Sequence, residues 1–433
     1  MSRVFEFVVI GAGMFGSAAA KYLSRAGADV LVIGPAEPAP NSPVDQRSFG
    51  AHFDEARITR RVGWDPVWQA TDSRSLERFR DIEAESGIGF FHERGSLILM
   101  ARSIGHRTND MMRQCEDDAI TVERISEDLL RREFPQLGLL PLAGGIEGML
   151  ERKQAGYLNP RQLVRAQLTL ARAAGGQVLR AAVTGVHKDR ASGQWRVLVE
   201  RGGVRMEVAA ARLLVATGAL TNHNKVLPEG RELALHVFTE PNLLLRVPDE
   251  QLELFEDLPP VVTIDPDDSG NDNLSLYMLP PIRYPDGRCY IRIGPGMQPI
   301  VRELEHTDEI VGWCSEQRIT REQREFLSDM ARRLVPDLRP SAVREACCLI
   351  DKTPSRYPYI GHLDEDRTLT IAIGGNGHGA RGSDEIGRLA STVALGRSWT
   401  LPIPEEVFRP RLAADDAPPD ECHDFHKPPF GLC

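Results

Sequence analysis

The sequence predicts an α/β fold of two interleaved domains, one nucleotide-binding and the other strand-rich. Three observations carry this expectation. The chain opens with the apolar run VFEFVVI, the glycine turn GAGMFG, a helix-forming segment and a second apolar run, VLVI. Similar strand-to-glycine pieces recur in the middle and near the end, at LLVATGAL and TIAIGGNGHG. Between them lie short β-rich runs broken by Pro and Asp turns, above all over residues 237–300. A chain of 433 residues is long enough for two or three domains.

The first unit reads as strand, turn, helix, strand. Gly11, Gly13 and Gly16 have the spacing in which a glycine makes the tight turn, a second lets a pyrophosphate approach the backbone, and a third allows close helix–strand packing. Met14 and Phe15 open the helix, whose N-terminal N–H groups and dipole suit phosphate. Ala18, Ala19, Tyr22 and Leu23 recur at inward spacings before the stop at Arg25-Ala26-Gly27. The second strand, Val30 to Ile33, should end in an acidic residue that holds the adenosine ribose, yet it ends in Gly34. Glu37, three residues on, is the nearest candidate. No Arg or Lys lies between Gly34 and Gln46 to meet a 2′-phosphate, which disfavours NADP. The turn alone leaves NAD and FAD open.

The remaining elements follow in order. The Pro-rich GPAEPAPNSPVDQ predicts an irregular loop. DPVWQATDSRSLERFRDIEAESG has helical periodicity through Trp68, Leu76, Phe79 and Ile82, with Gly87 as its stop. FFHERGSLILM reads as strands joined by a turn, and residues 126–140 place leucines at helical spacing. Pro160 to Gly175 predicts a helix and QVLRAAVTGVHKD a strand. A hairpin then leads into a buried strand, Leu213 to Ala216, that stops at Gly218. Helices are expected over 307–334 and from Ser383 to Leu395, around a strand-rich 343–376. The tail from Ala413 is polar and Pro-rich and reads as irregular.

Bulk properties exclude several classes. A net charge of −10 argues against nucleic-acid or anionic-membrane surfaces. No apolar run approaches the roughly 20 residues that span a bilayer. A motif that begins at Gly11 leaves no room for a cleavable leader. Seven cysteines, an odd number spread along the chain, do not read as a disulfide framework and predict a reducing cytoplasm. Cys422, His423, His426 and Cys433 have no standard zinc spacing, so no metal is expected.

Four patches resemble the monomeric sarcosine oxidase family, within the D-amino-acid-oxidase-like superfamily: VVIGAGMFGSAAAKYLSRAGADVLVIG, GAHFDEARITRRVG, LLVATGAL, and CLIDKTPSRYPYIGHLDEDRTLTIAIGGNGHGAR. The resemblance implies a Rossmann-like FAD-binding domain interleaved with an antiparallel-sheet α+β substrate domain. The expected division assigns 1–90, 145–230 and 340–433 to FAD, and 91–144 and 231–339 to substrate. It also implies oxidation of a secondary amine or N-substituted amino acid to an imine, with molecular oxygen as acceptor, by a monomer or weak oligomer. A dehydrogenase with another acceptor and a non-catalytic FAD module are the rivals.

The resemblance also implies residue roles. Cys348 falls where the family tethers its flavin through a thioether, and Cys347 is one position off. Arg57 falls against the flavin, and Arg60 and Arg381 where a substrate carboxylate is held. Two such cations would repel each other unless an anion joined them. Arg292 stands at the family's lysine beside flavin N5, where a fixed positive charge promotes oxygen reduction. Gly218, Gly375, Gly377 and Gly379 allow close backbone approach, with His378 at the flavin side. Phe53 and His52 precede the Arg-Ile-x-Arg signature in place of the usual histidine arrangement. Ile350 lies in the pocket stretch, so selectivity should differ from sarcosine.

Overall fold

Val4–Ile10 is apolar along nearly its whole length because it is buried on both faces of a largely parallel sheet. It pairs in parallel with Val30–Ile33 on one side and Val204–Val215 on the other. Gln177–Leu179 and Leu369–Ile373 extend the sheet in parallel at either side. Three antiparallel strands, Ala182–Lys188, Trp195–Arg201 and Tyr359–His362, complete its eight. The computed structural model describes residues 3–38, 49–265, 274–296 and 300–414.

Helices Met14–Arg25, Pro160–Ala173 and Ser383–Ala394 pack against one another on this sheet. Their approach is close: a Cβ on Gly387 would stand 2.5 Å from Ala18 Cβ. The buried Asp384 carboxylate ties four helices together. It accepts from Lys21 Nζ at 2.7 Å, Tyr22 Oη at 2.8 Å, Gln167 Nε2 at 2.8 Å and Arg78 Nε at 2.7 Å. Arg78 comes from Pro66–Ser86, whose Asp65 N-cap and left-handed Gly87 stop bear out that helix.

The second sheet also has eight strands, in the order Val343–Lys352, His236–Arg246, Cys289–Pro295, Leu276–Arg283, Val261–Ile264, Ser96–Ala101, Ile146–Glu151, Glu123–Ser126. Its described pairings are antiparallel except that of Val261–Ile264 with Ser96–Ala101. Helix Arg321–Leu334, opened by the Thr320–Gln323 capping box, buries Leu327, Met330 and Leu334 in the core behind it. A small third sheet joins Arg57–Thr59, Gly156–Leu158 and Phe91–Glu93.

Several elements differ from expectation. Ile146–Glu151 and Val343–Lys352 fall inside segments assigned to the nucleotide domain, yet both are strands of the second sheet. QVLRAAVTGVHKD is two strands, because Gly34 exchanges main-chain hydrogen bonds with Leu179 and Ala181 and the chain then leaves for the hairpin. Residues 126–140 form only one short helix, Glu127–Glu133. Gly105–Asp117 is a helix that the sequence did not announce, since only Thr108, Met111 and Cys115 are buried along it. The tail with Cys422, His423, His426 and Cys433 lies outside the described residues.

Candidate active site

A deep cleft opens where the glycine ends of the parallel strands face the second sheet. At its first end stands the GAGMFG turn. Gly11 has φ +107°, and a Cβ there would fall 2.2 Å from Ala216 O; one on Gly16 would fall 1.9 Å from Gly11 O. These two glycines are required by the protein's own packing. Gly13 is different, because a Cβ there would meet nothing closer than His52 Nδ1, at 3.7 Å. Helix Met14–Arg25 begins at Gly13 with no side-chain cap and no acid in its first turn. The space beside Gly13, with open helix amides, fits an anion.

His52 faces this cradle as a neutral imidazole, its pKa pushed down to about 3 by burial and by Arg161, Arg180 and Arg57. Glu37 does not reach the cleft; it pairs with Arg161, whose Nε stands 2.8 Å from Glu37 Oε2. Nor does Gly34 admit an acid, since a Cβ there would stand 2.7 Å from Ala12 N.

Further along, Cys348, Arg57 and Arg292 line the same cleft. Strand alternation sends Cys347 into the core behind the sheet. Arg57 Nη2 stands 3.6 Å from Cys348 Sγ, and Trp313 Nε1 donates to Cys348 O at 2.8 Å. Asp54 forms ion pairs with both Arg57 and Arg292 and accepts from Tyr284 Oη at 2.9 Å. Burial alone would raise the Asp54 pKa, but Arg292 and Arg57 outweigh it and hold the carboxylate well below its usual range. Burial pushes the Cys348 thiol up, against the pull of the same two arginines.

Arg60, Arg381 and His378 occupy another part of the lining. Arg60 Nε donates to Val62 O at 3.0 Å. Arg381 Nη2 donates to His378 Nδ1 at 2.7 Å, and Arg381 Nε stands 2.5 Å from Asp72 Oδ2. Burial and the cations Arg381, Lys352, Arg60 and Arg356 keep His378 neutral. The expected repulsion between two lone cations is therefore corrected: Asp72 already sits against them. Its own pKa is pushed up to about 7, burial outweighing Arg381 and Arg60, so this internal counter-ion is a weak one.

The GGNGHG turn is pinned from below, with Asp351 accepting from Gly374 N at 2.9 Å and Gly375 N at 3.1 Å. Gly377 takes φ +82°, and a Cβ on Gly379 would stand 2.7 Å from Phe15 Cζ. Gly218, at φ +56°, lines the cleft opposite. The fold thus brings every expected site residue to one cleft except Glu37 and Gly16, the latter acting behind the turn. Sequence reasoning missed Asp72, Asp351, Glu240, Asn242 and Tyr277. Nothing local marks them; each becomes a site residue only through strand pairing or helix packing.

Residues 6–392 match the family described as FAD dependent oxidoreductase. The chain belongs to this family. It is 24% identical over 427 residues to the monomeric sarcosine oxidase of Streptomyces avermitilis, spanning 96% of this chain and 99% of the relative. It is 23% identical over 415 residues to an N-methyl-L-tryptophan oxidase of Yersinia pestis, spanning 92% and 97%. Among solved structures it resembles NikD, an unusual amino acid oxidase essential for nikkomycin biosynthesis, with TM-score 0.73, 20% identity and coverage of 96% and 100%. L-proline dehydrogenase from P. horikoshii has the same fold, with TM-score 0.71, 18% identity and coverage of 94% and 97%.

FAD fits the cleft of this FAD dependent oxidoreductase. The open space at Gly13 and the uncapped helix would take its pyrophosphate, and the Gly375–Gly379 turn and Gly218 leave room for close backbone approach. Among the described residues no helix is long and apolar enough to cross a membrane, and no group of His, Cys, Asp or Glu could hold a metal ion.

Proposed function

We propose that this flavoenzyme oxidises an N-substituted amino acid to an imine, passes the electrons to molecular oxygen, and carries its FAD on Cys348. The reading is carried by one arrangement: Arg60 and Arg381 share a cleft with Cys348, Arg57 and Arg292, next to the anion cradle. The names of the relatives, sarcosine and N-methyl-L-tryptophan oxidases, support the substrate class.

Bound FAD supplies the hydride acceptor; this chain supplies position and charge. The planar forks of Arg60 and Arg381 suit a carboxylate. One carboxylate, Asp72, cannot neutralise two guanidiniums, so net positive charge remains to meet a substrate carboxylate. A substrate held by its carboxylate presents the adjacent C–H bond in one orientation, which is the entropic part of catalysis. Arg57, at 3.6 Å from Cys348 Sγ, stabilises the thiolate that forms a thioether. Arg292 is the fixed cation proposed for the oxygen step. Five described cysteines are free, in keeping with a reducing cytoplasm.

The test is photometric. Under nitrogen, N-methyl amino acids should bleach the flavin and the colour should return on admitting air. Bleaching by neutral amines alone would overturn the substrate class, and bleached enzyme that stays colourless in air would overturn the acceptor.

A further inference from the structure

Glu240 is a carboxyl group that the reaction described so far does not use. It lies on His236–Arg246, is 5% exposed, and lines the cleft. Register places it directly opposite Cys348 on the neighbouring strand, so both side chains leave the sheet on one face. Its Oε1 stands 2.6 Å from Tyr277 Oη, while Oε2 has no hydrogen-bond partner among the described residues. That oxygen is buried and unpartnered in the wall of a reactant cleft, so a turn of the carboxyl presents it to a reactant.

Counting protons fixes the state of this group. The Tyr277 hydroxyl is within hydrogen-bond reach of both Glu240 Oε1 and Asn242 Oδ1, yet it carries a single proton. The Asn242 amide cannot turn to help. Its Oδ1 accepts from Arg292 Nε at 2.8 Å, and its Nδ2 donates to Glu240 O at 2.9 Å. With Glu240 ionised, one of the two contacts to Tyr277 would set oxygen lone pairs against each other. With Glu240 protonated, it donates to Tyr277 and Tyr277 donates to Asn242, and every contact is a hydrogen bond. The groups facing the carboxyl are Tyr277 on Leu276–Arg283, Arg292 on Cys289–Pro295, Arg57 on Arg57–Thr59, and Lys352 and Cys348 on Val343–Lys352. Burial outweighs the Tyr277 hydrogen bond and the Arg292, Arg57 and Lys352 charges, and the pKa is pushed up to about 7.

We propose that Glu240 works as a neutral carboxylic acid and gives its proton to dioxygen as dioxygen is reduced beside Arg292. A group that rests protonated serves the step that consumes a proton, which is the reduction of oxygen and not the deprotonation of the amine. The balance is simple. Dioxygen takes two electrons and one proton, a hydride equivalent, from the reduced cofactor. The second proton comes from Glu240, whose O–H turns from Tyr277 toward the cleft and breaks as an O–H bond of hydrogen peroxide forms. The carboxylate left behind faces Arg292, Arg57 and Lys352, and regains a proton from solvent. The proposal rests on the oxidase reading given above.

Infrared difference spectra between wild type and Glu240→Gln, in water and heavy water, read the carboxyl directly. A deuterium-sensitive carboxylic C=O band is expected at about pH 6 and should fade as pH rises through the shifted pKa. Tyr277→Phe, which keeps the acid but removes its partner, should move that band. No carboxylic band at about pH 6 would overturn the proposal. In stopped-flow reoxidation of amine-reduced enzyme, wild type should slow as pH rises, whereas Glu240→Gln should be about 10²-fold slower and lack that inflection. Equal rates and equal pH profiles would overturn the donor role alone. Reduced wild type that oxygen does not reoxidise would overturn the oxidase reading and the donor role together.

Discussion

Asp54 shows how little of this site any single residue decides. One carboxylate holds Arg57 and Arg292 together, and Arg57 in turn stands against Cys348. Burial opposes ionisation of the Cys348 thiol, so the proposed thioether would depend on that cation. Acid-precipitated wild type should therefore stay yellow. Cys348→Ala should release all colour to the supernatant, and Cys347→Ala, whose side chain lies behind the sheet, should not. Colour wholly in the wild-type supernatant would contradict the tether. Arg60 makes a second prediction at this scale. A charge-assisted bond to a carboxylate contributes about 1.5–3 kcal/mol, or about one to two decades in affinity. Arg60→Ala should raise the amino acid concentration for half-reduction of the flavin by that factor, and affect an uncharged amine of similar shape much less.

At the scale of elements, the helix layer depends on Asp384. Lys21 is fully buried, and removing its partner leaves an uncompensated charge among four helices. Asp384→Ala should cost about 3–5 kcal/mol, visible as a lowered thermal midpoint of purified protein. An unchanged midpoint would mean that the network contributes nothing to stability. The helices and strands that were legible in the sequence have local causes. Gly11 takes the positive φ of its own tight turn, Gly16 packs on the carbonyl of Gly11, and Gly87 ends its helix by its own left-handed conformation. Cys348 was found by its resemblance to the family's flavin-bearing position, and alternation along its strand separates it from Cys347. What was not legible has non-local causes. Glu240 reads as any polar residue of a strand until its pairing with Cys348 and Tyr277 is known. Glu37 failed because Arg161, more than a hundred residues away, holds it elsewhere. Gly105–Asp117 escaped because a helix that buries only three side chains leaves almost no periodic signal.

Across the whole molecule, the chain passes repeatedly between two eight-stranded sheets, and the cleft collects residues from both. The parallel sheet contributes the glycine turns that fit the dinucleotide. The antiparallel sheet contributes Cys348, Arg292 and Glu240. Arg60 and Arg381 lie far apart in sequence and reach the same lining only because the fold interleaves. Function therefore tests architecture here. The most direct measurement is anaerobic titration of the flavin absorbance with an N-methyl amino acid and, in parallel, with an uncharged secondary amine of the same shape. The account predicts complete bleaching by the amino acid at a concentration about one to two decades lower than by the amine, with simple carboxylates such as acetate competing. Equal bleaching by both, with no effect of carboxylates, would contradict it.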